Sequence, residues 1–365
     1  MKICFLSLYS GIINRGAEIY AHELGNALAS DHQVSLFQGG KKIEKARYQV
    51  YSILSKFPQE IPDRGGISKK LFKDPASQAI KEFTLRCLPQ IENTCPDVII
   101  PINNGWQTML CRRVANKVRA KLIVSSQSGL GKFGPGYDEW INTLMGVDCY
   151  VALTYEQRRR LRLFSPWQRI EVIPNGVDID KFSPKNKPTE LNLRKPIILC
   201  VSALSKWKNV DKTIMAVSKM KTKPSLLVLG KGSEEEQSYI QQLGRNLLDN
   251  RFMLKSVAHE EIPNYYKCAD VFTLASQSSE AFGIAYVEAM STNLGIVATD
   301  DPQRREIVGD AGLLVNPNDT DQYASKLSEA LDKDWGNIPR ERSLTFSWTK
   351  IADKYSKMFK SLIRE

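Results

Sequence analysis

Apolar positions in the first half of the chain fall into short runs separated by stretches of helical spacing. Ile3 to Leu8 is a continuous apolar run that ends in a polar turn, Gly11 to Gly16. Ala17 to Ala29 follows, with apolar residues at Ile19, Ala21, Leu24, Ala27 and Leu28, and this period predicts a helix. Gln33 to Phe37, Asp97 to Pro101, Lys121 to Ser125 and Cys149 to Leu153 predict further strands, with a helix over Trp106 to Val118. Strands that alternate with helices imply parallel crossovers and a doubly wound α/β sheet. Lys41 to Asp74 fits this rhythm poorly and reads as a long excursion.

The second half repeats the logic. Strands are predicted at Pro196 to Val201, Ser225 to Leu229, Arg251 to Ser256, Asp270 to Ala275, Gly295 to Thr299 and Leu313 to Val315. The clearest helices between them are Phe282 to Ser291 and Gln322 to Leu331. Between the halves lies turn chemistry, Ile173-Pro-Asn-Gly-Val-Asp178, and then a Pro- and Lys-rich stretch, Phe182 to Lys195, that reads as a linker. An amphipathic helix, Ile351 to Ile363, follows Phe346-Ser-Trp-Thr349. The organisation expected is a first domain over 1–180, a second over 181–345 and a closing helix over 346–365. Sheets of this kind bind ligands at the carboxyl ends of their strands, so a cleft between the two domains is the expected site.

Composition narrows the class. The 365 residues exceed one ordinary core, and 25% charged with 42% hydrophobic residues describes an ordinary globular chain. No apolar run approaches the roughly 18 residues of a membrane span. The run after Met1 is short and lacks a small-residue cleavage site, so it reads as a buried strand and not as a signal peptide. Seven cysteines are scattered without a C-x-x-C pair; Cys4, Cys149 and Cys200 fall in strand runs, which predicts reduced core thiols and a cytoplasmic protein.

The net charge is +11, unevenly spread. Met1 to Asp180 holds 24 Lys and Arg against 17 Asp and Glu, and Lys41 to Lys73 alone holds nine basic and three acidic residues. No aromatic-interleaved basic strand, zinc finger or helix-turn-helix accompanies this charge, so nucleic acid is not the expected partner. A solvated loop explains it, and so does docking at the anionic inner face of a membrane.

The densest chemistry lies in Ser279-Glu-Ala-Phe-Gly-Ile-Ala-Tyr-Val-Glu-Ala-Met290, where seven residues separate Glu280 from Glu288. Glu280 precedes a helix start; Glu288 lies inside an apolar helix, where an acid is costly unless something satisfies it. Amides at a helix N-terminus suit a phosphate, and carboxylates suit hydroxyls. Taken alone, the pair also fits an ordinary helix-start acid and a surface residue. The Asp178-x-Asp180 pair lies in the interdomain segment and not at a strand end, and no His or Cys cluster accompanies it, so no metal and no cofactor are expected.

Five ordered segments resemble the retaining glycosyltransferases of the GT-B fold, specifically the large family-four group. They are Asn14-Arg-Gly-Ala-Glu18, Val172-Ile-Pro-Asn-Gly-Val-Asp178, Val201-Ser-Ala-Leu-Ser-Lys-Trp-Lys-Asn209, Val228-Leu-Gly-Lys-Gly232, and Asp270 to Val315 with the two glutamates and Ala298-Thr-Asp-Asp-Pro-Gln-Arg-Arg-Glu-Ile-Val308. The resemblance spans most of the chain and is dense in the second domain. It implies two Rossmann-like domains, the closing helix crossing back to the first. It implies a nucleotide-diphospho-sugar donor as co-substrate and transfer to a hydroxyl of a glycan or lipid-linked acceptor, in cell-surface polysaccharide or glycolipid synthesis.

Residue by residue, Lys208 matches the diphosphate-binding lysine, Glu288 the acid that takes the ribose hydroxyls, and Glu280 the one facing the transferred sugar. Phe282, Gly283 and Ile284 would offer backbone amides to the sugar and distal phosphate. Gly16 would let its loop approach the donor, and Gly230 and Lys231 would line the floor. Two departures stand out. Ala203 replaces an arginine common in the family, and Ser126-Gln-Ser-Gly-Leu-Gly131 replaces a histidine segment, leaving Gln127 or Ser128 to take over sugar binding on the acceptor side. These departures keep a second reading open, a non-catalytic GT-B protein that binds a nucleotide sugar or supports a partner enzyme.

Overall fold

The computed structural model describes residues 1–13, 15–41, 45–61, 73–127, 137–277 and 280–364, with backbone alone for 137–140. It divides into two compact units, Met1–Gly176 with Trp348–Glu365, and Val177–Ser347. None of the described helices is long and apolar enough to cross a membrane.

The first unit is built on seven strands: β1 (Lys2–Ser7), β2 (Gln33–Gln38), β3 (Gln49–Ser52), β4 (Val98–Pro101), β5 (Lys121–Ser125), β6 (Cys149–Ala152) and β7 (Ile170–Val172). They run parallel in the order β3-β2-β1-β4-β5-β6-β7. Around them lie α1 (Gly16–Leu28), α2 (Pro75–Thr94), α3 (Trp106–Val118), α4 (Tyr137–Leu144) and α5 (Tyr155–Phe164). Continuous apolar strands are what a sheet covered on both faces needs. Alternate side chains accordingly divide between two clusters: Ile3, Phe5, Ile100 and Val151 enter one, while Cys4, Leu6, Ile99 and Tyr150 enter the other. All three strand cysteines, Cys4, Cys149 and Cys200, are buried, and burial pushes their thiols up to about 12.

The second unit has six parallel strands: β8 (Ile197–Val201), β9 (Ser225–Leu229), β10 (Phe252–Lys255), β11 (Val271–Leu274), β12 (Gly295–Thr299) and β13 (Gly312–Val315). Their order is β10-β9-β8-β11-β12-β13. The helices are α6 (Val210–Lys219), α7 (Glu234–Leu248), α8 (Ile262–Tyr266), α9 (Ile284–Ser291), α10 (Pro302–Val308), α11 (Thr320–Asp332) and α12 (Ile338–Leu344). The final helix, α13 (Trp348–Arg364), returns to the first unit, where Tyr355 hydrogen-bonds Tyr20 at 2.8 Å between hydroxyls. Gly176 makes that return feasible, because a Cβ there would meet the Trp348 ring at 2.4 Å.

Two expectations need correction. The excursion over Lys41 to Asp74 contains β3, which extends the sheet beyond β2; only Val50 and Tyr51 pack against the interior, between exposed Gln49 and Ser52, so the strand lacks the continuous apolar run of an inner one. Phe182 is not a linker residue. It belongs to the second unit and is buried, with its ring edge-on to Tyr266 at 5.7 Å. Much of the basic excursion, including residues 62–72, lies outside the described residues.

Candidate functional site

In the second sheet the direction of winding reverses between β8 and β11, because β9 lies on the other side of β8. Loops at the carboxyl ends of two such strands diverge and leave room for a ligand. The loop after β8 carries Lys208, and the loop after β11 carries Glu280. Three contacts tie the loops together. Asn209 donates Nδ2–H to Ala275 O at 2.7 Å, Gln277 N–H donates to Trp207 O at 2.9 Å, and Lys208 Nζ is ion-paired with Glu280 Oε2. Lys208 also sits over the Trp207 ring, 4.2 Å from its centroid. Both charged side chains are only 12% exposed, so each is costly without the other.

α9 begins beside this pair. Its N-cap, Gly283, has φ +81, and a Cβ there would lie 2.6 Å from the Tyr286 ring, so glycine is required on two counts. No side chain caps the helix, and its first turn carries no acid. Phe282 contributes through its backbone alone, since its ring is buried against Phe346 at 5.9 Å. Ile284 opens the helix and is partly exposed.

Glu288 lies one turn further along α9 and is buried at 5% exposure. Tyr266 donates its hydroxyl to Oε2 at 2.9 Å, and His259 Nε2 faces Oε1 at 3.5 Å. Burial, followed by the carboxylate beside it, pushes the Tyr266 phenol well above its usual range, so this tyrosine stays a hydrogen donor.

Gly230 and Lys231 lie in the loop after β9, where backbone groups of both are already engaged. Gly230 N–H is already bonded to Lys255 O at 2.9 Å, and a Cβ at Gly230 would meet Ser202 O at 1.9 Å, so this glycine serves close backbone approach. Lys231 accepts Leu204 N–H at 3.1 Å through its carbonyl and exposes its side chain. Gly16 belongs to the first unit, exposed at the start of α1. In that unit Gln127 exchanges amide hydrogen bonds with Asn175 at 3.1 and 3.0 Å. Ser128 lies outside the described residues. Asp178 accepts the N–H groups of Asp180 and Lys181 at 3.0 and 2.9 Å, a local turn.

One residue of the site was not anticipated. Arg304 is fully buried and gathers the loop from behind, donating to Glu280 O at 3.0 Å and Gln277 O at 3.1 Å while paired with Asp301. Its sequence signal is faint: Asp301-Pro-Gln-Arg304 is an N-cap signature, and Asp301 accepts Arg304 N–H at 3.0 Å.

Residues 182–344 match the family described as "Glycosyl transferases group 1", and residues 14–181 match "Glycosyltransferase Family 4". Each match covers one half of the chain, and together with the two parallel-sheet units they relate it to the GT-B glycosyltransferases of group 1, family four. One relative is the GDP-mannose-dependent monoacylated alpha-(1-6)-phosphatidylinositol monomannoside mannosyltransferase of Corynebacterium glutamicum. It is 27% identical over 244 residues, which is 62% of this chain and 62% of that protein's own length. Two solved structures share the fold over nearly the whole chain. Sucrose-phosphate synthase from Thermosynechococcus elongatus has a TM-score of 0.78 at 20% identity, covering 100% of this chain and 99% of its own. Anabaena HepE, solved with UDP and glucose, has a TM-score of 0.76 at 19% identity, covering 99% and 100%.

Proposed function

We propose that the protein is a retaining glycosyltransferase that needs no metal. It moves a sugar from a nucleotide-diphospho-sugar to a hydroxyl of a glycan or lipid-linked acceptor. The observation that carries this reading is the Lys208–Glu280 pair at the switch point of the second sheet, beside the uncapped start of α9. An incoming diphosphate takes the Lys208 ammonium and the amides of Phe282, Gly283 and Ile284. Glu280, released from the lysine, turns to the hydroxyls of the sugar, and Glu288 takes those of the ribose. The acceptor oxygen then bonds to the anomeric carbon as the bond from that carbon to the diphosphate breaks. The acceptor's proton passes to the departing diphosphate oxygen, which supplies the base that no histidine provides. Lys208 and the amides stabilise the charge growing on that leaving group. Gly16 and Gln127 or Ser128 of the first unit are proposed for the far side of the donor and the acceptor. Gly230 and Lys231 are proposed to line the floor beneath the donor.

The acceptor reading draws on the relatives, whose names include mannosyltransferases of phosphatidylinositol mannosides. The first unit's α5 supports work at a membrane surface: it carries Arg158, Arg159, Arg160 and Arg162, with Leu163 and the nearby Trp167 exposed. Such a basic, partly apolar segment suits an anionic bilayer.

Thermal unfolding with UDP, GDP and ADP tests the donor site. A nucleotide present at 100 times its Kd adds about 2.7 kcal/mol of stability. Lys208→Ala should weaken that nucleotide about tenfold or more, the loss of one charge-assisted hydrogen bond. Glu280→Gln should spare nucleotide binding and stop sugar transfer. Silence towards all three nucleotides would overturn the donor site, and binding without any transfer would favour the non-catalytic reading.

A further inference from the structure

The buried side of Glu288 holds groups that donor binding leaves unused. Lys181 Nζ lies 3.0 Å from His259 Nδ1. An ammonium has only hydrogens to offer, so Nδ1 accepts and the ring proton sits on Nε2. That nitrogen is buried, has no hydrogen-bond partner among the described residues, and faces Glu288 Oε1 at 3.5 Å. The opposite oxygen, Oε2, is taken by Tyr266 at 2.9 Å. Phe182 closes the cluster, edge-on to both His259 and Tyr266 at 6.1 and 5.7 Å.

We infer that His259, set in its tautomer by Lys181, is a positioning residue that holds the Glu288 carboxylate for a vicinal diol. The inference rests on the assignment of Glu288 to the ribose. Because Nε2 is buried, it acts through Glu288 and not by a hydrogen bond of its own to the nucleotide. A carboxylate has about four lone-pair directions. With Tyr266 hydrogen-bonded along one of them and His259 Nε2 standing against another at 3.5 Å, two remain, one for each ribose hydroxyl. A carboxylate free to rotate would offer that pair of directions only part of the time.

The test is a comparison of GDP and UDP with their 2′,3′-dideoxy analogues, by calorimetry on the full chain. His259→Ala should weaken the ribonucleotide about tenfold, the lower range for a hydrogen bond to a charged group, and leave the dideoxy analogue unchanged. His259→Gln, which places an amide N–H near the Nε2 position, should recover most of the affinity. In sugar transfer His259→Ala should raise the donor KM and leave kcat within about twofold. An equal loss for both nucleotides, or none, would overturn the positioning role. The underlying assignment fails separately: Glu288→Ala would then still favour the ribonucleotide over its dideoxy analogue as the native chain does, or no nucleotide would bind. Should His259→Ala unfold the protein, His259→Gln still decides, since the inference requires it to discriminate the two sugars as the native chain does.

Discussion

Arg304 shows how a charge can be structural while looking superficial. Arginine near a helix start ordinarily reads as a solvated side chain, yet this one is fully buried and spans two loop carbonyls and Asp301. It thereby fixes the backbone from which Glu280 reaches Lys208. Arg304→Ala leaves a nearly buried carboxylate and two carbonyls without their partner, and should cost about 3–5 kcal/mol in urea unfolding. Arg304→Lys should be intermediate, keeping the charge and losing the fork that reaches both carbonyls. A loss under about 1 kcal/mol would show that the loop holds itself. Glu280 and Lys208 were legible one at a time from residue type and neighbours. Their direct contact was not, because the partners lie 72 positions apart.

Elements with a strong period were readable, and those without one were not. Apolar runs such as Val98 to Pro101 and Gly295 to Thr299 form strands close to their expected limits, because a sheet covered on both faces demands continuous apolar sequence. β3 was hidden by having only two apolar residues, Val50 and Tyr51, at a sheet edge, and β7 by having three residues in all. α2 carries a clear start, Asp74 capping Ser77 N–H at 3.0 Å with Pro75 next, but the internal Pro89 masks its length. The return of α13 to the first unit is written in its apolar stripe. Phe359, wholly buried there, belongs to the cluster that includes Tyr20 and Leu24 of α1. Phe359→Ala should cost about 3–5 kcal/mol in the unfolding of that unit. Nucleotide affinity in the second unit should stay unchanged, which a titration of the variant would check.

Each unit has its own sheet and buried interior, so unfolding need not be a single event. Calorimetry should show two transitions, and the nucleotide that binds should raise only one of them, by mass action on the unit holding Lys208 and Glu288. A single transition that moves as a whole would contradict this. The alternation of apolar runs was enough to specify two parallel sheets, because burial periodicity is a local property of the chain. The motif around Glu280 and Glu288 marked a candidate binding surface for the same reason: a glycine, a helix start and two acids are read within a few positions. The partners of those acids depend instead on strand order. Only when β11 is laid beside β8, with β9 on the far side, do Lys208 and Glu280 meet, and only that packing buries Arg304 behind their loop and sets Lys181, His259 and Tyr266 around Glu288.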